Sequence, residues 1–228
     1  MKLPDDVAAA FAPYEDLAAR LLPALPDMSD GSHDIAHLLR VCANVRAIQA
    51  EEGGDLELLA AACLLHDCVA VEKNSGLRTQ ASRLAAERAA DLLTTLGWPE
   101  TRIASVAHAI EAHSFSAGVT PTSVEACILQ DADRLDAIGV IGVARCFYTA
   151  GRMGSALYDP GDSAAQRRPL DDVRNAVDHF HAKLLHLASG FRTTAGQQLA
   201  RVRHERMVRF LNELADETGT AMLPSSKS

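Results

Sequence analysis

Aromatic residues are scarce in this 228-residue chain, at 4% of the sequence, and alternating apolar–polar runs are almost absent, which excludes a sheet-rich fold. No apolar run approaches the length of a membrane span, and the N-terminus lacks a basic segment followed by an apolar stretch, so a soluble, cytoplasmic chain with no membrane partner is expected. Positive charge is in deficit: 22 Lys and Arg stand against 30 Asp and Glu, a net charge of −8. That balance argues against binding a nucleic-acid polymer, which wants a basic face, although a local cluster of cations could still hold a small anion. There is no C-x-x-C pair. Cys42, Cys63, Cys68, Cys127 and Cys146 are odd in number, and several sit in apolar helical stretches, so they read as reduced core thiols rather than a disulfide framework.

What remains is a chain that is 48% hydrophobic, rich in Ala and Leu, with apolar residues at i, i+3 and i+4. Such a composition supports a sizeable core without staples. The spacing predicts helices over about 5–22 (broken near Pro13 and stopped by Pro23), 32–52 with Ser32 as N-cap, 56–67, 79–96 and 99–113. Residues 122–150 read as one long helix or two abutting ones, with Gly139 and Gly142 as close-packing points. The stretch 151–169, rich in Gly, Pro, Asp and Ser, reads as a long loop of the kind often used as a lid. Helices over about 171–189 and 194–216 follow, and a tail from Gly219 onward is expected to be disordered. The expected architecture is an all-α helical bundle forming a single domain over 1–228, with its core at about 30–150.

Two stretches carry chemistry. The apolar run 58–65 ends in His66-Asp67, where an imidazole and a carboxylate carry a desolvation cost unless something pairs with them. About 100° apart around a helix, these two side chains can converge on one ion only near a helix end. Gln130-Asp131-Ala132-Asp133-Arg134-Leu135-Asp136 crowds three carboxylates between apolar flanks, and like charges so placed repel unless a cation sits among them. His33 and His37, four apart, could share one helical face. A divalent cation is the group that satisfies imidazoles and carboxylates together.

His37-x-x-Arg40-Val41, the His66-Asp67 doublet and Ala132-Asp133-Arg134-Leu135 together resemble the signature of the HD-domain metal-dependent phosphohydrolase superfamily. The similarity extends to a bacterial subgroup of small HD-domain hydrolases through Ser32-His33-Asp34, His113-Ser114-Phe115-Ser116 and Asp178-His179-Phe180-His181-Ala182-Lys183-Leu184-Leu185. It covers roughly residues 30–212. The resemblance implies an HD-type fold and one divalent ion (Mn²⁺, Fe²⁺, Ni²⁺, Co²⁺ or Mg²⁺) held by His37, His66, Asp67 and Asp133. The register of Ala-Asp-Arg-Leu selects Asp133 rather than Asp131, and His33 falls outside the ligand positions.

Such a site lowers the pKa of water and offsets phosphoryl charge, which is what phosphoester or phosphoanhydride hydrolysis needs. Asp67 is the expected proton acceptor and His113 a candidate to protonate a leaving group or bind phosphate, while Arg134, adjacent to Asp133, is the expected phosphate contact at the reacting centre. Further substrate contacts are assigned to His33, Asp34, Lys73, Arg78, Arg145 and Lys183. The expected substrate is a small phosphorylated molecule, a nucleotide first, cleaved in the manner of a pyrophosphohydrolase. A signalling-nucleotide hydrolase and a catalytically silent metal- or nucleotide-binding regulator are the alternatives. A homodimer is left open.

Overall fold

The computed structural model describes residues 6–26, 34–70, 80–163 and 165–219. Among them the regular structure is all helical: α1 (Asp6–Ala9), α2 (Glu15–Leu21), α3 (Ile35–Glu52), α4 (Leu56–Leu65), α5 (Ala81–Thr95), α6 (Glu100–His113), α7 (Val124–Asp136), α8 (Gly139–Met153), α9 (Ala176–Ala182) and α10 (Thr194–Thr218), with short 3₁₀ turns between some of them. No described helix is long and apolar enough to cross a membrane. His33, Lys73, Arg78 and Ser32 lie outside the described residues, as does the tail beyond Gly219.

The chain divides into two compact units. The first comprises residues 1–133 and 192–196, and its centre is α4. Every residue of α4 from Leu58 to Leu65 is buried, so this helix is apolar all round and must be surrounded. It packs against α2, α3, α5 and α6. Val41 and Ile48 of α3, Leu93 of α5, Ile110 of α6 and Ile128 and Leu129 of α7 complete the core, each such side chain stabilising by roughly 1.5–3 kcal/mol.

The start of α4 is fixed by Asp55, whose carboxylate accepts the Leu58 amide at 3.0 Å and a two-pronged contact from Arg102 at 2.6 and 3.2 Å. The Arg102 guanidinium, with the Leu58 amide adding to it, holds the Asp55 carboxyl below its ordinary 3.8. A folded-state value below the unfolded one means that the stabilisation is complete above pH ~3.8 and is lost as pH falls through the lower, folded value. Asp55→Asn keeps a cap but loses the charge, so at neutral pH it should cost about 0.5–1 kcal/mol, with the gap to wild type closing as pH drops below ~3.8. Urea melts across pH 2.5–7 check this; a gap that does not change with pH would rule it out.

The second unit comprises residues 134–191 and 197–228. Its core holds a ring cluster in which Phe147, Phe180 and Phe210 lie 5.7–6.0 Å apart, centre to centre. The turn into α8 needs glycine twice. Gly139 has φ +77°, and a Cβ on Gly142 would stand 2.4 Å from the Ala137 carbonyl oxygen. Residues 122–150 are therefore two helices, α7 and α8.

Elsewhere the expected bounds shift for local reasons. The first stretch is two short helices, α1 and α2, broken around Pro13, and the second ends at Leu21 with Pro23 in the 3₁₀ turn Leu22–Ala24 that follows. Helix α3 starts at Ile35, capped by Asp34. The expected helix over 171–189 begins late: the Asp171 carboxylate takes the Arg174 amide at 3.0 Å, which makes a turn instead. The 154–175 loop is held by its own polar network. Arg168 grips buried Asp178 at 2.5 and 2.8 Å, and the Asp162 carboxylate accepts the amides of Gln166 and Arg167.

Candidate metal centre

Each side chain of the candidate centre is delivered by a helix end or a buried helix face of the first unit. Asp34 caps α3 by accepting the His37 amide at 2.9 Å, which orders the first turn and with it His37. Helix α4 stops at Leu65; His66 is its C-cap and Asp67 lies in the turn beyond. That early stop frees the doublet from helical divergence. Asp133 projects from α7, and His113 is the last residue of α6.

The four side chains read from the sequence come together. His37 Nε2 and His66 Nε2 are 3.3 Å apart. Asp133 Oδ1 lies 3.6 Å from His37 Nε2, and Asp67 Oδ2 lies 3.8 Å from His37 Nε2 and 3.6 Å from His66 Nε2. Ligand atoms of His37, His66 and Asp133 all fall within 4.8 Å of one another. Both imidazoles are buried, while Asp67 and Asp133 are partly exposed, so the carboxylates form the open side.

The donor set fits a cation. His66 Nδ1 sits 2.8 Å from the Cys63 carbonyl oxygen, an acceptor only, so Nδ1 carries the proton and Nε2 turns its lone pair toward the cluster. His37 Nε2 at 3.3 Å and one Asp133 oxygen gather with it, and an Asp67 oxygen lies 3.6–3.8 Å from the two imidazole nitrogens, an arrangement that a positive ion would balance. Donor separations of 3.3–3.8 Å compare with the edge of about 3.0–3.4 Å expected for ligand atoms placed ~2.1 Å from a common ion.

His113 joins this group: its Nε2 is 4.0 Å from Asp67 Oδ1, and its ring meets that of His66 edge-on at 5.1 Å. Its Nδ1 donates to the Ile110 carbonyl at 2.6 Å. Burial first, then the neighbouring His66, pushes the imidazole below its ordinary 6.5 despite the opposing pull of Asp133 and Asp67. With Nδ1 donating to the Ile110 carbonyl, neutral His113 presents an acceptor at Nε2 toward the cluster.

Other expected contacts have different employment. Asp131, beside Asp133 in sequence, is fully buried and accepts the amides of Arg192 and Thr193 and the Thr193 hydroxyl. Within the second unit, Arg134 donates to the carbonyls of Leu187 and Ser189 at 2.9 and 2.8 Å and lies over the Phe191 ring. Arg145 pairs at 2.9 Å with fully buried Asp136. Both guanidiniums make contacts within this unit. Lys183 is exposed in a turn after α9, and Asp34 acts as the cap described above.

One residue the sequence reading missed is Asn44. Two turns beyond His37 on the buried face of α3, it donates through Nδ2 to the Ala132 carbonyl at 2.9 Å. It thereby fixes the helix bearing Asp133 against the helix bearing His37. An asparagine seven residues after a candidate ligand in an apolar pattern was the available signal. Asn44→Ala should cost about 1 kcal/mol of stability and weaken Mn²⁺ binding roughly tenfold, read by calorimetry. Unchanged affinity would make Asn44 a core residue only.

A model of the HD domain matches residues 34–138, a span that contains every residue of the cluster. The chain is 34% identical to the protein YpgQ of Bacillus subtilis over 194 residues, 83% of this chain and 86% of that protein. Its fold is similar to the crystal structure of an HD-superfamily hydrolase from Bacillus thuringiensis, with TM-score 0.70 and 30% identity, covering 91% of this chain and 99% of that one. It is also similar to Bacillus subtilis YpgQ crystallised in complex with ADP, with TM-score 0.67 and 31% identity over 88% of this chain and 97% of that one. With its all-helical architecture and these relatives, the chain belongs to the HD-domain family of HD-superfamily hydrolases.

Proposed function

We propose that the protein is a metal-dependent phosphohydrolase that cleaves a phosphoester or phosphoanhydride bond of a nucleotide. The observation that carries this reading is the cluster of His37, His66 and Asp133 ligand atoms, with an Asp67 oxygen 3.6–3.8 Å from both imidazoles, the imidazoles buried and the carboxylates partly exposed. These four residues would hold one divalent ion, which when bound acidifies water and offsets charge on a phosphoryl group. Cys63 and Ile110 fix the tautomers of His66 and His113 through their carbonyls, so no rearrangement is needed before reaction. Asp67 stands between the two histidines, 3.6 Å from His66 and 4.0 Å from His113, and is placed to orient an attacking water. Neutral His113 can accept a proton at Nε2. The nucleotide assignment draws support from the ADP complex of the related YpgQ; phosphate binding is best sought on the open, carboxylate side.

The test is a screen of nucleoside mono-, di- and triphosphates with Mn²⁺, Co²⁺, Ni²⁺ and Mg²⁺, with products identified by mass spectrometry. Turnover with release of pyrophosphate supports a pyrophosphohydrolase, and release of orthophosphate supports a phosphatase. Metal-loaded protein that binds nucleotides and turns none over would overturn the catalytic reading in favour of a regulatory one.

A further inference from the structure

Gln130, which opens the carboxylate stretch of α7, is only 2% exposed, so both ends of its amide need partners away from water. Nε2 donates to the Ala112 carbonyl of α6 at 2.7 Å, and Oε1 accepts Arg192 Nε at 3.2 Å. A carbonyl only accepts and a guanidinium only donates, so a single orientation of the amide satisfies both. Arg192 is itself anchored through its backbone amide, which donates to the Asp131 carboxylate at 2.9 Å. Ala112, Gln130, Asp131 and Arg192 all belong to the first unit. The chemistry of the metal centre makes no direct use of this buried amide.

What the amide holds is the end of α6. Ala112 is the penultimate residue of that helix and His113 the last, and the final four carbonyls of a helix lack partners in the regular ladder. Side chains take two of these four: His113 Nδ1 donates to Ile110 at 2.6 Å, and Gln130 donates to Ala112. The first contact locks the His113 ring to its own helix. The second ties that last turn to α7. Helix α6 packs on α4 and α5, whereas Asp133 stands on α7, three residues past Gln130. Gln130 thereby relates the His113 ring to the helix bearing Asp133, and Arg192 keeps the amide from turning.

We propose that Gln130 is a positioning residue for phosphohydrolysis, holding His113 so that Nε2 can take a proton in the reacting complex. This role rests on the reading of His113 as a proton acceptor beside a divalent ion. Groups so placed lose rate steeply on displacement, and a shift of about 1 Å can cost roughly a hundredfold. The amide contacts go to Ala112 and Arg192 rather than to a proposed metal ligand. Loss of the contacts should therefore fall on kcat and spare both KM and Mn²⁺ affinity.

The experiment uses the full chain with Mn²⁺ and ATP as the probe. Gln130→Met keeps length and volume but removes both contacts, while Gln130→Glu keeps the acceptor for Arg192 and removes the donor to Ala112. Each should lower kcat about thirtyfold, with KM and Mn²⁺ affinity within about twofold of wild type. The decisive measurement is a cycle with His113→Ala. Without the ring there is nothing to position, so adding Gln130→Met to His113→Ala should lower kcat by about twofold at most. A glutamine that only supported the fold would lower both backgrounds alike, and multiplying losses overturn the role. Arg192→Met leaves the glutamine in place and unlocks its amide, so it decides the matter if Gln130→Met does not fold. A severalfold loss of kcat that vanishes without His113 is expected; a loss that persists overturns the role. The ¹⁵N shifts of the His113 ring, which need neither metal nor turnover, should move in Gln130→Met while those of His108 on the same helix stay. Unmoved His113 shifts overturn it too. Should wild type neither bind Mn²⁺ nor turn over ATP, the hydrolase reading fails by itself, and the ring shifts still decide whether Gln130 sets the His113 ring.

Discussion

His66→Ala should abolish Mn²⁺ binding and lower kcat/KM for the nucleotide substrate by about a thousandfold or more, while the helical circular dichroism stays close to that of wild type. The magnitude follows from an ion whose electrostatic contribution is several kcal/mol, at a factor of ten for every ~1.4 kcal/mol. The selectivity follows from position. His66 lies just past the end of α4, so its loss leaves the packed run from Leu58 to Leu65 in place. Asp133→Asn, which preserves shape and removes one charge, should give the same loss from a different helix. His108→Ala is the control: its Nε2 accepts the Thr122 amide at 3.1 Å, away from the cluster residues, and activity should not change. Calorimetry that finds near-normal Mn²⁺ affinity in His66→Ala or Asp133→Asn would remove the proposed centre.

The candidate centre was legible because its signals are local. A histidine and an aspartate closing an eight-residue apolar run, and an aspartate between apolar flanks, are conspicuous whatever the tertiary structure. The helices of the first unit were legible for the same reason, since their periodicity is set within each segment. What supports the centre was not legible. The Asn44 contact spans 88 residues and the Asp131 contacts span 61 and 62, and no pattern within one helix reveals such partners. Arg134 is a further example: one residue from Asp133 is 100° of helix, and its guanidinium donates to carbonyls 53 and 55 residues away that no local pattern reveals. Arg145 pairs with buried Asp136, nine residues earlier. The late start of α9 came from competition: aspartate side chains in 159–172 bind nearby amides and divert the chain from a helix.

Asp131→Ala should lower stability by about 3–5 kcal/mol, a fall in Tm of roughly 10 °C, and leave Mn²⁺ affinity within twofold of wild type. Asp131 and Asp133 are two positions apart, about 200° around α7, and their carboxylates face different tasks. The Asp131 side chain is fully buried and accepts the Arg192 amide at 2.9 Å, the Thr193 amide at 2.8 Å and the Thr193 hydroxyl at 2.7 Å. Its removal strands those donors away from water. Asp131→Asn should do little better, because an amide nitrogen in either oxygen position meets a donor. The neighbouring glycine provides an independent check. A Cβ on Gly196 would stand 2.4 Å from Asp131 Oδ2 and 2.6 Å from Thr193 Oγ1. Helix propensity alone would make Gly196→Ala stabilising by about 1 kcal/mol, yet the clash falls on the group that holds the start of α10, and the net effect should be a loss of about 2–3 kcal/mol. Thermal melts separate the two forces by sign. A stabilised Gly196→Ala, or an Asp131→Ala that melts like wild type but no longer binds Mn²⁺, would show that Asp131 rather than Asp133 belongs to the metal centre.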